Sequence, residues 1–74
     1  RFALAGSGTV TMEIYDLAGR RVWRSRAMRV SGGEIVVKWD GRDAAGRHLP
    51  GGTYLCRPVL DGAPLKAAPL TLVK

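Results

Sequence analysis

The 74 residues include one cysteine, one histidine and six acidic side chains, so the usual ingredients of catalysis are scarce. A lone Cys56 excludes an internal disulfide and any cysteine-based metal cluster. It stands in the apolar run Tyr54-Leu55-Cys56, where a free Cys acts as a small buried hydrophobe. Nothing in that segment would activate it as a thiolate. No apolar run approaches the roughly 20 residues of a membrane-spanning helix, and no signal-peptide pattern is present. Helical periodicity is missing too. No window of about a dozen residues repeats apolar side chains at three-and-four spacing, and ten Gly with four Pro interrupt every candidate.

The hydrophobic fraction, 46%, is ordinary for a globular chain and too high for a disordered one. The length allows a single domain over 1–74, near the size where one core is marginal. The opening Arg1-Phe2-Ala3-Leu4 alternates like a strand already in progress. The chain therefore reads as the C-terminal piece of a larger protein, with part of the first strand lost.

The net charge is +6 and the pI about 10.5, which raises nucleic acid as a partner. The excess is mostly Arg, dense at Arg20, Arg21, Arg24, Arg26 and Arg29. Along an extended strand, residues of like parity share a face. That puts Arg20, Arg24 and Arg26 on one side and Arg21 and Arg29 on the other. Only Trp23 interleaves them, short of the stacking aromatics of RNA-binding sheets, so nucleic acid is disfavoured. The plain reading is a solvated Arg-rich sheet surface. The functional alternative is an anionic partner, such as surface polysaccharide or lipid headgroups, held by Arg20, Arg24 and Arg26.

Two stretches use the same word. Tyr15 to Trp23 and Trp39 to Tyr54 each contain an Asp, two residues, a Gly, an Arg and then an apolar residue, as Asp16–Gly19–Val22 and Asp43–Gly46–Leu49. Asp opens a type I turn because its carboxylate accepts the backbone N–H two residues on. Gly fits at the end, where the chain needs a left-handed φ. Such a turn joins antiparallel strands through a bulge. Asp40-Gly41 adds a further turn signal beside Trp39.

Between the turns the alternation is that of strands. Thr9 to Tyr15 puts Val10, Met12 and Ile14 on one face and Thr9, Thr11 and Glu13 on the other. Arg21 to Ser25 returns beside it and offers Val22 to the core. Ser31-Gly32-Gly33 marks a loop. Glu34 to Trp39 turns Ile35, Val37 and Trp39 inward, with Val36 an apolar exception outside. Thr53 to Leu60 sets Tyr54 and Cys56 against Leu55 and Arg57, and a last strand over Leu65 to Val73 turns Leu70 and Leu72 inward. Pro58 and Pro69 cannot donate ladder bonds, so these strands are edge-placed, bulged or interrupted there. Asp61-Gly62 is a hairpin signal, but a simple two-residue register would set Pro58 against Leu65 as a hydrogen-bonded pair, which argues against that register. About six to seven short strands at this spacing predict an all-β, antiparallel sandwich of the immunoglobulin or fibronectin type.

The segments Val10 to Arg20, Trp39 to Arg47, Gly52-Thr53-Tyr54 and Leu70 to Lys74 together resemble one pattern. It is similar to the immunoglobulin-like domain of flagellar hook-capping proteins, which recurs in C-terminal sorting domains of the type IX secretion pathway. The resemblance covers nearly the whole chain. It departs at Cys56, where the family often has an aromatic, at Pro58, where it has an apolar residue, and in lacking an Asn-Pro-Phe-type opening segment. The resemblance implies a secreted or cell-surface bacterial module without catalytic activity. Its implied role is sorting, attachment or subunit assembly, or scaffolding in the flagellar hook cap.

The candidate site residues fall into three groups. Asp16, Gly19, Asp40, Gly41, Asp43 and Gly46 are turn formers. The three Asp could instead gather to hold calcium, but their spacing is not that of a calcium loop. Ile14, Val37, Trp39 and Tyr54 are core anchors by parity. Trp23 shares parity with Arg21, opposite Val22, and so is the expected exposed aromatic and, with Arg20, Arg24 and Arg26, the interface candidate. His48 has no partner at motif spacing, and Ser7, Ser25 and Ser31 sit in no nucleophile setting. No cofactor or metal is expected, and the expected partners are proteins, joined by strand addition at an open sheet edge.

Overall fold

A computed structural model describes the backbone of residues 2–4, 7–31, 33–35 and 39–73, and the side chains of 7–31 and 39–73. Regular structure over these residues is all strand, without a helix: β1 (Phe2–Leu4), β2 (Gly8–Tyr15), β3 (Arg21–Arg24), β4 (Met28–Val30), β5 (Gly33–Ile35), β6 (Gly52–Leu60), β7 (Ala63–Pro64) and β8 (Ala68–Leu72). β2 and β6 run antiparallel from Val10↔Leu60 to Tyr15↔Leu55. β3 and β4 both pair with the other side of β2, and β7 and β8 with the other side of β6. The larger sheet thus has β2 and β6 at its centre and an outer row on each side that is broken in two. β1 pairs with β5 in a second sheet. The architecture is all-β and consistent with an immunoglobulin-like sandwich.

Alternation along β2 decides which face is buried. Val10, Met12 and Ile14 are 0%, 0% and 1% exposed, while Thr11, Glu13 and Tyr15 look outward. Trp23, Trp39, Leu49, Cys56, Leu70 and Leu72 pack around Ile14, Val22 and Tyr54. Trp39 lies 5.5 Å from Tyr54, edge-on, and 6.4 Å from Trp23, a spacing at which aromatic pairs attract. The Tyr54 hydroxyl donates to the Pro50 carbonyl at 2.6 Å, the tyrosine corner of immunoglobulin-like sandwiches. The positions expected inward at Ile35 and Val37 lie outside the described side chains.

Three expectations from the sequence fail, each for a backbone reason. Ile14 faces Trp23 while Tyr15 faces Arg21, so Val22 is an inserted residue, a β-bulge that re-aims its neighbours. Val22 and Trp23 both pack on the core. Trp23 is therefore half-buried rather than the exposed aromatic. The same bulge sets Arg21 and Arg24 together on the outer face, beside Tyr15 and Glu13, so parity does not separate them. Arg26 lies exposed between β3 and β4. There, residues 25–27 stand opposite Thr11 and Met12, and the Ser25 hydroxyl accepts the Met12 N–H at 2.9 Å.

The Asp61-Gly62 turn adopts the two-residue register that Pro58 argues against. Leu60 faces Ala63 and Val59 faces Pro64, with φ of 50° at Asp61 and 83° at Gly62, the left-handed pair of a type I′ turn. The Leu65 N–H donates to the Pro58 carbonyl at 2.8 Å, and no bond returns because proline lacks an N–H. The ladder then breaks: residues 65–67 oppose Arg57 and Pro58 before pairing resumes at Cys56↔Ala68. Bonds alternate along an antiparallel pair, so Leu55 faces β2 and its β8 partner Pro69 turns its missing N–H to the open edge. The third failure is smaller. Gly33, expected in a loop, begins β5, and β4 carries no strong signal in its three residues.

Candidate functional site

The two Asp-Gly-Arg words fold into the same hydrogen-bonded object. In the first, the Gly19 N–H donates to the Asp16 carbonyl at 3.1 Å and the Asp16 N–H to the Arg20 carbonyl at 2.9 Å. The Asp16 Oδ1 accepts the N–H groups of Ala18 and Arg20 at 3.0 and 2.9 Å, and Oδ2 meets the Arg20 Nε at 3.2 Å. In the second, Gly46 donates to Asp43 and Asp43 to Arg47, both at 2.9 Å. The Asp43 Oδ1 accepts from Ala45 and Arg47 at 3.0 and 2.9 Å, and Oδ2 meets the Arg47 Nε at 3.3 Å. Gly19 and Gly46 have φ of 88° and 84°, which L side chains rarely adopt. The backbone N–H of Arg47 first, and then that of Ala45, hold the Asp43 carboxyl below the ordinary carboxylate range.

The turns meet across one cleft. The Ala44 N–H reaches the Val22 carbonyl at 3.2 Å, an acceptor that the bulge leaves out of the ladder. Beside this bond lies a cleft of about 340 Å³, lined by Arg20, Arg21 and Arg47 together with Asp43 and the apolar Val22, Ala44 and Leu49. Trp39 supports the second turn from behind, its indole N–H donating to the Arg42 carbonyl at 2.9 Å. Asp40 accepts the Arg42 N–H at 3.2 Å. Gly41 is buried with φ of 79°, and a Cβ there would stand 2.9 Å from Leu72. Its carbonyl takes the Leu49 N–H at 2.8 Å.

On the sheet's outer face, Glu13 receives the Tyr15 hydroxyl at 2.7 Å and Arg21 at 3.2 Å. The Tyr15 hydrogen bond, with Arg21 beside it, keeps Glu13 ionised to lower pH than usual and raises the pKa of the Tyr15 hydroxyl. Arg57 lies 5.3 Å over the Tyr15 ring, within cation–π range. Burial pushes the Cys56 thiol up, which disfavours the nucleophilic thiolate.

The structure brings Asp16, Asp43, Gly19, Gly46 and Arg20 to this end of the molecule, and sets Ile14, Trp39 and Tyr54 in or against the core beside it. It does not bring Arg24 and Arg26 to the cleft. Among the described residues, no hydrogen bond joins His48 to an Asp, and no group of three His, Cys, Asp or Glu could hold a metal ion. Arg21 and Arg47 are the members that sequence reasoning missed. The signal for Arg47 was present, since an Arg follows the Gly in both words. The contact between the two turns had none.

Comparison with known proteins adds the lineage. The family model described as FlgD Ig-like domain matches residues 2–57. Neither a curated protein nor a solved structure matches the chain. Both turns, Trp39 and Tyr54 fall inside the matched span, and the chain belongs to the FlgD Ig-like domain family.

Proposed function

We propose that this chain is a non-catalytic scaffold module for assembling a secreted bacterial structure, of the kind found in the flagellar hook cap. The family match over residues 2–57 carries the reading. Site chemistry supports it. The carboxylates of Asp16 and Asp43 are occupied by backbone N–H groups and their own Arg, which leaves neither as a free general base. A second reading, sorting or surface attachment at the end of a larger secreted protein, rests on the resemblance of the Trp39 to Arg47 and Gly52 to Tyr54 words. Sequence upstream of Arg1 separates the two, since a large enzyme or adhesin points to attachment and a short hook-binding segment to the flagellum.

The partner in either reading is a protein. Strand addition would have to use outer rows interrupted by bulges and, in β8, by Pro69, devices that blunt sheet edges. The turn loops and sheet face are better surfaces for contact. Leu17, at the tip of the first turn, is 69% exposed. A photo-crosslinking residue placed at Leu17, and separately at Arg26, in the producing cell should trap a discrete protein neighbour. Absence of protein adducts from both positions would refute the assembly role. Hydrolytic turnover abolished by Asp43→Asn would refute the non-catalytic one.

A further inference from the structure

We infer that the cleft between the twin turns is a carboxylate-binding site, which takes a Glu or Asp side chain from an extended, partly apolar segment of a partner protein. The inference rests on the assembly reading and names the chemistry of the contact. Three of the cleft's lining residues are arginines, Arg20, Arg21 and Arg47, and one, Asp43, is acidic. That carboxylate is already engaged by two backbone N–H groups and the Arg47 Nε.

The turns aim the arginines. Arg20 and Arg47 each hold Nε at 3.2 and 3.3 Å from Oδ2 of the Asp that opens their own turn, as an ion pair. A guanidinium has five N–H donors in a fixed fork, so an Nε kept beside its Asp leaves the four terminal N–H groups for a ligand. Among the described residues those groups have no acceptor on either side chain, and the side chains are 79% and 81% exposed. Arg21 also lines the cleft, and its guanidinium is held by Glu13 at 3.2 Å. A planar carboxylate fits such forks by paired hydrogen bonds.

The apolar part of the lining selects within anions. Leu49 is half-buried and Ala44 exposed, and above the buried Val22 they offer a surface for the aliphatic stem of an acidic side chain and a neighbouring apolar residue. A polysaccharide or nucleic acid strand would leave that surface uncovered and would gain more from Arg24 and Arg29, which lie outside the cleft. A peptide uses both halves.

Titration of the 74-residue chain with a short, capped peptide alternating Glu and Leu tests this, against the same peptide with Gln for Glu and against heparin. The Glu peptide should bind at least about fivefold more tightly than the Gln peptide, as charge-assisted fork bonds require, and should shift the Val22 and Leu49 methyl resonances. The double variant Arg20→Gln/Arg47→Gln should lose about tenfold. The double variant Arg26→Gln/Arg29→Gln, of equal charge, should stay within about twofold. Equal weakening by the two double variants, no preference for Glu over Gln, or methyl shifts confined to other residues would overturn the inference. So would heparin binding that falls with Arg20→Gln/Arg47→Gln as far as the peptide does. The methyl shifts are read on the unaltered chain, so the result does not depend on a variant folding. If Leu17 crosslinks to a protein in the cell while the Arg20→Gln/Arg47→Gln variant crosslinks equally well, the assembly reading stands and the carboxylate site fails.

Discussion

The turn at Asp16 to Arg20 and the turn at Asp43 to Arg47 share every local hydrogen bond and differ in what surrounds them. The first closes a full hairpin, β2 to β3, and its tip projects Leu17 into solvent. The second closes only the single bridge Arg42↔His48, and its tip is fastened to β3 through Ala44. One is held by the sheet behind it. The other is held by what packs against it, Trp39 below and Val22 beside. Equal local chemistry can thus yield a free tip or a fixed wall, and the cleft exists because one of each stand side by side.

The largest break in the symmetry should come from Trp39→Ala. It removes the indole that packs on Tyr54 and Trp23 and also the donor to the Arg42 carbonyl. A loss of about 3 kcal/mol is expected, the low end for a Trp truncation because the ring is half-buried. Urea unfolding will measure it, and amide exchange should show the second turn loosened more than the first. In a domain this small such a loss takes much of the stability.

Next come the paired glycines, where the turns should behave alike. Gly19→Val and Gly46→Val each force an L residue into the left-handed region, at about 1–3 kcal/mol. No atom lies within 4 Å of the added Cβ in either turn. The two losses should therefore agree to within about 0.5 kcal/mol, and a larger gap in thermal melts would show that context reaches even this position.

Proline at the second turn position should separate them again. Leu17→Pro fits a type I turn and breaks no bond among the described residues, so it should stabilise the chain by about 0.5 kcal/mol. Ala44→Pro removes the donor to the Val22 carbonyl and should destabilise by about 1 kcal/mol. Opposite signs in matched unfolding curves are the expected result, and equal signs would mean that the Ala44 bond contributes nothing.

The smallest effect is a matter of pH. The Arg47 N–H, first, and its companions lower the folded-state pKa of Asp43. The unfolded chain therefore takes up its proton first as pH falls. The stabilisation is present above the ordinary Asp value and is lost as pH drops through the folded value. Asp43→Asn should flatten that acid limb when Trp fluorescence is followed from about pH 6 downward. An unchanged limb would locate acid sensitivity elsewhere, with Glu13, also depressed, next to be replaced.

The sequence determined whatever depends on residues within a few positions of each other. Asp and Gly three apart specify a turn whatever lies around them, because the carboxylate and the backbone N–H groups it binds belong to the same loop. Alternation along β2 specifies its buried face for a similar reason. The tertiary structure decided what depends on register. Inserting Val22 into β3 reversed the facing of Trp23 and regrouped the arginines, and no pattern in residues 21–24 announces it, because a bulge is chosen by the partner strand and the core it fills. Pro58 shows the same division. Its missing N–H was legible, but it could not be known that the edge beside it, rather than the hairpin register, would yield. The twin turns were written twice in the chain, while the cleft between them came only from bringing Ala44 to Val22.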